Sequence, residues 1–486
     1  MPVADAPVDA SPESLFHPAV ASWFSQRFPS GPTPPQSAAW PHIAAGSDVL
    51  VASPTGSGKT LTGFLVAIDA AYRAAEAGAG PRGAPEVLYI SPLRALAVDV
   101  HENLHVPLTG IREEAARLGC ADPGLRIAIR TGDTPAAERA AMKKQSPDLL
   151  VTTPESLYLL LTAPSSRALL RGVRTVIVDE VHTLARDKRG SHLALSLERL
   201  DALVTESGGR LQRIGLSATQ RPLDTVARLL SGVHEDRPPT VIVDCGHARE
   251  LDVAIELPST ELEAVMSGGQ MSDILDRIAE HTRDHRTTLV FVNTRKMAER
   301  VAHQLAERLG ENEAADGNDV DASLLVAAHH GSLSAARRRI VETRLRAGDL
   351  RALVATASLE LGIDVGPVEL VCQIGSPRAI GTFLQRVGRA NHHRDGTPAG
   401  RLYPTTRDEL VECTALLAAV REGRLDLLEP PVAPLDVLTQ QLVAEVASTD
   451  ERDVEAMWDL TRHAAPYADL SRKDFDDVVA LASWGI

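Results

Sequence analysis

Asp48-Val-Leu-Val-Ala-Ser-Pro-Thr-Gly-Ser-Gly-Lys-Thr60 decides how the rest of the chain is read. An apolar run short enough for a strand is followed by a turn rich in Gly and Ser, and then by a helical period that opens on Lys59 and Thr60. Strand, glycine loop and helix in that order form a phosphate-binding loop. Gly56 and Gly58 let backbone N–H groups turn inward on phosphate oxygens, and the helix N-terminus adds positive potential. Lys59 is placed to reach the terminal phosphates of a nucleoside triphosphate, and Thr60 to ligate Mg²⁺. Thr55, Ser57 and Gly58 complete the cradle, while Ser53 stands where the general pattern has Gly.

A loop of this kind hydrolyses nothing without a carboxylate. About 120 residues on, Asp179-Glu-Val-His182 closes the apolar run Thr175-Val-Ile-Val178. Acidic residues at the C-terminal end of a strand lie where open α/β sheets bind ligands. Asp179 is expected to hold Mg²⁺ and Glu180 to orient the attacking water. Further on, Gln385-Arg-Val-Gly-Arg-Ala-Asn-His392 offers guanidinium groups. An arginine beside a transferring phosphoryl group is worth roughly 10³-fold or more in rate. Each stretch taken alone has a plainer reading: a chance turn, an acidic strand cap, a solvated basic helix.

Working outward, the chain alternates strand and helix. Asp48–Ala52, Glu86–Ile90, Leu125–Ile129, Leu149–Val151, Arg174–Val178 and Arg210–Ile214 are predicted strands, near-continuously apolar as in a parallel sheet covered on both faces. The stretch Ser231–Gly269, with Pro238-Pro239, Pro258 and Gly268-Gly269, breaks the rhythm and reads as a connection. A second set follows at Thr287–Val292, Ala322–Ala328, Arg351–Ala355 and Glu369–Ile374, with an acidic loop starting at Gly310 between its first two members. Beyond Pro404 the chain is acidic and helical, and Pro430-Pro431 and Pro434 mark a third segment that looks unfinished at its end.

Composition agrees with a cytoplasmic protein. No apolar run spans a bilayer, and the first residues lack the basic and apolar regions of a signal peptide. Cys120, Cys245, Cys372 and Cys413 are scattered without a Cys-x-x-Cys pair, which fits reduced thiols better than a zinc site. The net charge of −15 is uneven: residues 407–486 carry 7 basic and 17 acidic side chains, a net of −10, and the rest of the chain is at −5. A local basic groove is compatible with the motif-bearing part, whose non-specific strand binding should be modest and salt-sensitive. Aromatic residues are 3% of the chain, so no extended base-stacking platform is expected, and Trp40 is expected in the core near the loop.

The ordered set of motifs resembles the superfamily-two (DEAD/DEAH-box-like) helicases: Gln36, the phosphate loop, Ser91-Pro-Leu-Arg-Ala-Leu96, Arg130-Thr-Gly-Asp-Thr134, Thr152-Thr-Pro-Glu-Ser156, Asp179–His182, Ser217-Ala-Thr219, Val290–Arg295, Ala355–Asp364 and Gln385–Arg389. Lys188-Arg-Gly-Ser-His192 leading to Leu197–Leu200, His329–Ser334, Ser358–Gly366 and Pro434–Gln441 are similar to the bacterial large helicase-related proteins. The resemblance covers roughly residues 28–447, the N-terminal part of that family.

It implies two tandem RecA-like α/β domains with ATP between them, followed by a partial, mainly helical winged-helix segment. The expected boundaries are an extension or disordered part at 1–27, a first domain at 28–232, a second at 233–406 and the winged-helix segment at 407–486. Gln36 would read the adenine, Asp364 would approach the ribose, and Arg389 would be the arginine finger, with Gln385 beside it. His182, Ser217 and Thr219 would couple hydrolysis to domain movement. His392 stands where the family usually has a further Arg, a role His393 or Arg394 could take.

Strand contacts are assigned by motif match to Arg94, Thr131, Thr153, Thr294, Arg295, His330 and Thr356, each of which has a turn or N-cap role as its plainer alternative. His329 and His330 have no Cys or carboxylate at ligand spacing and are not expected to bind metal. The implied activity is ATP-driven, 3′-to-5′ movement on single-stranded DNA with unwinding of DNA or RNA–DNA duplex, in repair. Two rivals are a phosphate-loop kinase or transport ATPase, which lacks the second set of motifs, and a nucleic-acid-stimulated ATPase or strand-binding protein that does not unwind.

Overall fold

In the computed structural model the described residues are 12–54, 56–78, 83–218, 220–246, 250–315, 324–360, 366–391, 396–449 and 451–484. The chain forms two units, one taking in the chain up to Ser53 with Ser57–Gly246 and Leu427–Ile486, the other Pro54, Gly56 and His247–Asp426.

The first unit is built on seven strands: β1 (Val49–Ala52), β2 (Val87–Ile90), β3 (Ile127–Arg130), β4 (Leu149–Thr152), β5 (Thr175–Val178), β6 (Gln212–Ser217) and β7 (Val241–Asp244). Their order is β3-β4-β2-β5-β6-β1-β7, and every pairing is parallel. Strand side chains alternate between faces. Leu50, Ala52, Leu88, Ile90, Val176 and Val178 enter one core. Val49, Val51, Tyr89, Val151 and Ile177 enter the other. The second core takes in Trp40, which is fully buried, donates to the Thr62 carbonyl at 3.2 Å and packs edge-on against Phe24.

The expected boundaries shift where strands and buried ions dictate. The supposed extension is helical at Pro18–Arg27, and Ala19, Val20, Trp23 and Phe24 lie in the second core. β7 falls inside the stretch read as a connection; it pairs with β1, so the first unit runs on to Gly246 and not to 232. Its half-exposed Val-Ile-Val-Asp gives a weak signal between Pro-rich flanks. At the other end, helix Leu435–Ala447 packs on helix Lys188–Glu206, and Val437, Leu438 and Leu442 join the first core. Glu445 is buried there against Arg167 (2.8 Å) and Arg199 (2.6 Å). Residues 427–486 therefore belong with the first unit, whereas helix Arg407–Arg421 belongs with the second.

The second unit has β8 (Asp252–Ile255), β9 (Thr288–Phe291), β10 (Val326–His329), β11 (Ala352–Ala355), β12 (Leu370–Ile374) and β13 (Ala399–Tyr403), in the order β10-β11-β9-β12-β13-β8, again all parallel. β8 also lies in the stretch read as a connection. Helix Arg295–Ala315 runs into the expected acidic loop, the rest of which lies outside the described residues. No described helix is long and apolar enough to cross a membrane, and all four cysteines are free thiols.

Candidate nucleotide site and nucleic-acid face

In the first unit the C-terminal ends of β5, β6 and β1 lie side by side, so the loops that follow them are neighbours. Ser53 N–H donates to the Ser217 carbonyl at 3.1 Å, fixing the start of the phosphate loop to the end of β6. Gly56 and Gly58 take φ of 80° and 79°, the left-handed region that glycine enters without steric cost. Gly58 is also pressed from outside: a Cβ there would lie 2.7 Å from Gln36 Nε2. The Gln36 amide donates to the Gly58 carbonyl at 3.3 Å and accepts the Thr33 N–H at 2.9 Å, while Thr33 Oγ1 donates to the Ser57 carbonyl at 2.8 Å. Gln36 thus braces the loop as well as capping its own helix. Ser53, the departure from the usual glycine, places its hydroxyl 2.7 Å from that of Ser57 and makes a second brace. Lys59, at the start of helix Lys59–Glu76, is buried and donates to the Ser53 carbonyl at 2.6 Å.

Asp179 and Glu180 follow β5 as a buried pair. Burial, reinforced by the charge of Glu180, raises the pKa of Asp179. Glu180 sits at φ 44°, a conformation costly for a residue with a Cβ and one that recurs at functional sites. Its Oε2 is buried without a hydrogen-bond partner among the described residues and lies 3.5 Å from His182 Nδ1. Tyr89 was not legible as a site residue, being one letter in an apolar strand. Its phenol is buried, and burial with the charge of Asp179 raises its pKa well above the ordinary value. A buried pair of carboxylates suits a hard divalent cation with oxygen ligands. His182 joins this turn to the end of β6: its Nδ1 lies 3.2 Å from Ser217 Oγ. Thr55, Thr219, Asp364 and His392 to Arg394 lie outside the described residues.

In the second unit, Asp426 caps helix Ile380–Val387 through the N–H groups of Ile380 (3.1 Å) and Gly381 (2.8 Å). Gln385 is half-buried on that helix. The two arginines of the motif then take different tasks. Arg386 is an internal brace, held by the Glu360 carboxylate and by Gln373, with its guanidinium 4.9 Å from the Phe291 ring centroid. Arg389 is buried and donates to the Glu360 carbonyl at 2.8 Å. Glu360, a residue of the Ala355–Asp364 stretch, therefore carries both arginines; no sequence signal singled it out.

The residues assigned to strand contact gather in each unit at the C-terminal ends of three adjacent strands. In the first unit these are β3, β4 and β2, followed by Thr131, Thr153 and Arg94. Arg94 Nη1 meets Asp133 at 2.7 Å. Thr153 caps helix Pro154–Thr162, accepting the Ser156 N–H at 3.4 Å, and Thr131 accepts the Asp133 N–H at 3.4 Å. In the second unit the strands are β10, β11 and β9, followed by His330, Thr356 and Thr294 with Arg295. Thr294 accepts the Met297 N–H at 3.2 Å, Arg295 donates to Ser332 Oγ at 2.7 Å and His330 Nε2 lies 2.7 Å from Glu299. Cap and turn roles are thus real for Thr131, Thr153 and Thr294, and the same caps expose helix-start N–H groups of the kind that phosphates bind.

In the sequence Arg189 stands out only as part of a group signature. It bridges the loop after β2 and the first turn of helix Pro154–Thr162, donating to the Pro92 carbonyl at 2.7 Å and to Glu155 at 2.8 Å. Its neighbour Lys188 pairs with Asp436 at 2.8 Å, and Gln441 donates to the His192 carbonyl at 3.0 Å and accepts from Arg199 at 2.7 Å. The two signatures Lys188–Leu200 and Pro434–Gln441 are the two sides of one contact.

Three family matches cover the chain: DEAD/DEAH box helicase over residues 33–227, helicase conserved C-terminal domain over 269–394, and large helicase-related protein, winged helix domain, over 418–486. The Lhr helicase/probable uracil glycosylase of Mycolicibacterium smegmatis is 43% identical over 98% of this chain and 32% of its own length. ATP-dependent helicase Lhr-Core protein 2 of Thermococcus barophilus is 43% identical over 95% of this chain and 52% of its own. The solved structure of Mycobacterium smegmatis helicase Lhr bound to ssDNA and AMP-PNP superposes with a TM-score of 0.87 at 44% identity, over 97% of this chain and 58% of that one. The chain spans about one third to one half of the length of the curated relatives it matches.

Proposed function

The chain belongs to the large helicase-related family of DEAD/DEAH-box helicases, and from that premise we propose that it hydrolyses ATP to move 3′-to-5′ along single-stranded DNA and to open DNA or RNA–DNA duplex in cytoplasmic DNA repair. The observation that carries the catalytic half is the meeting of Lys59, Thr60, Asp179, Glu180 and Ser217 at the ends of three neighbouring strands. Lys59 and the loop N–H groups would hold the β- and γ-phosphates. Thr60 and Asp179 would hold Mg²⁺, which neutralises phosphate charge when bound. Glu180 would orient water for attack on the γ-phosphorus and take its proton, and Arg389, on the second unit, would stabilise the charge that develops. The AMP-PNP and ssDNA named for the mycobacterial structure support the same substrate classes here. Strand contact through backbone N–H groups and short hydroxyls positions the phosphate chain and reads no sequence.

The test is ATP turnover titrated with single-stranded DNA, RNA and duplex at two salt concentrations, beside strand displacement from a 3′-tailed duplex. DNA-stimulated turnover with displacement, both abolished in Lys59→Ala, is the expected result. Turnover indifferent to nucleic acid assigns the chain to another class of phosphate-loop enzyme. Stimulated turnover without displacement leaves a DNA-dependent ATPase that does not unwind.

A further inference from the structure

Outside the nucleotide site, Glu198, His234 and His463 converge from three separate segments of the first unit: helix Lys188–Glu206, the stretch after helix Leu223–Ser231, and the end of helix Val454–His463. Their ligand atoms all lie within 4.8 Å of one another, and among the described residues this is the one such group of three. We propose that these three side chains form a structural site for a zinc-class divalent ion, which fastens the winged-helix segment to the first unit.

The geometry is specific. His234 Nε2 lies 3.0 Å from Glu198 Oε2. The two imidazoles face each other with centroids 4.2 Å apart and planes at 32°. The backbone holds them there: Val233 N–H donates to the His463 carbonyl at 2.7 Å. Gly232, at φ 76°, keeps the middle clear, since a Cβ at that position would lie 2.5 Å from Glu198 Oε1, 2.8 Å from the His463 carbonyl oxygen and 2.9 Å from His234 Nε2.

The chemistry suits the ion. Two imidazole nitrogens and one carboxylate are a set that zinc accepts, with water as a fourth ligand. Glu198 is buried and ion-paired with Arg213 at 2.6 Å, which keeps a carboxylate in the site. Arg213 engages Glu198 from behind, at 2.6 Å to Oε1 and 3.2 Å to Oε2, as outer partners orient metal-bound carboxylates. Nothing in this ion's role touches ATP hydrolysis, so the site stands or falls apart from the proposed activity.

The full chain, free of any polyhistidine tag and stripped with chelator, is titrated with Co²⁺ and with Zn²⁺. One Co²⁺ per chain with the visible absorption of a four- or five-coordinate N/O site is expected, displaced by Zn²⁺. Zn²⁺ should raise the thermal midpoint of the wild type and leave those of His463→Ala and His234→Ala unchanged. Because either variant could lose its fold, carbethoxylation of the wild type is read in parallel: Zn²⁺ should protect His234 and His463 in a peptide map, and not His303, whose side chain is exposed. A folded wild type that binds no Co²⁺ at micromolar concentration, or that binds it without protecting these two histidines, overturns the proposal.

Discussion

Nδ1 of His182 accepts the backbone N–H of Ala218 at 3.1 Å, so the turn that carries Asp179 and Glu180 is hydrogen-bonded to the end of β6. Burial lowers the imidazole pKa to about 4. The folded value lies below the ordinary 6.5, so the stability this ring contributes is fully present above pH 6.5 and is lost as pH falls through about 4. At neutral pH the ring is an uncharged acceptor, and the proposed coupling runs through it from the carboxylate turn to the end of β6. His182→Gln should therefore keep ATP affinity and lose nucleic-acid stimulation by on the order of tenfold, the value of one or two hydrogen bonds. Equilibrium ATP binding beside stimulated and unstimulated turnover checks this; an equal fall in affinity contradicts it.

Asp179 gives the opposite sign. Burial and the charge of Glu180 raise its pKa, so the fold favours the protonated carboxyl, and ionisation costs stability as pH rises. Asp179→Asn should abolish turnover and yet raise the thermal midpoint of the chain without nucleotide, by about 2–4 °C for each kcal/mol relieved. Adding Mg²⁺ and AMP-PNP should raise the wild-type midpoint further and narrow or reverse the gap. Scanning the two chains at pH 7.5 with and without the complex reads both effects. A lower midpoint for the variant without nucleotide rules out the assigned strain.

What was legible in the sequence follows from where its signal lies. β1, β2, β4 and β5 are apolar runs buried on both faces, and their closing motifs place the loop and the carboxylates. β7 and β8 were hidden because they are short edge strands between Pro- and Gly-rich flanks, with half their residues or more exposed to some degree. Glu360, Arg189 and Tyr89 were missed for another reason. They act on motif residues distant in sequence, and that relation exists only once the chain has folded. The acidic third segment read as a separate part; its attachment rests on Glu445, whose buried guanidinium partners lie about 250–280 residues away.

Arg389 tests the division of labour inside its motif. Its guanidinium is assigned to the transition state, while Arg386 is locked against Glu360 and Phe291. Arg389→Ala should lower kcat by roughly 10³-fold and change the ATP dissociation constant by no more than about threefold. Arg386→Ala should instead lower the thermal midpoint, because it leaves the partly buried Glu360 carboxylate short of its partner. Loss of ATP binding in Arg389→Ala with residual chemistry intact excludes the finger role.

Glu445 carries the junction between the C-terminal helices and the first unit. Burial alone would raise its pKa, but Arg167 and Arg199 outweigh it and hold the carboxylate at about 2. That depressed value means its stabilisation is present above pH 4.5 and fades as pH falls toward 2. Glu445→Ala strands Arg167 and Arg199 in the interior and should cost about 3–5 kcal/mol in urea unfolding. Glu455→Ala, which removes an exposed partner of Arg472, should cost far less, because solvent screens that pair. Similar losses in the two variants count against a buried clamp.

Arg189 separates positioning from contact. It joins the loop after β2 to the first turn of helix Pro154–Thr162, through Pro92 and Glu155, with Nε and one Nη on protein oxygens. If its task is to hold those two segments in register for a phosphate chain, Arg189→Ala should weaken single-stranded DNA binding several-fold while leaving ATP affinity alone. The salt dependence distinguishes this from direct contact. Each phosphate neutralised on a single strand contributes about −0.7 to the slope of log K against log salt. A positioning arginine leaves that slope unchanged as affinity falls, and a contacting one reduces it by about that increment. Arg94→Ala, at a residue assigned to contact, provides the comparison in the same titration. Equal reductions of slope in both variants mean that Arg189 reaches the strand itself, and the bridging role is then wrong.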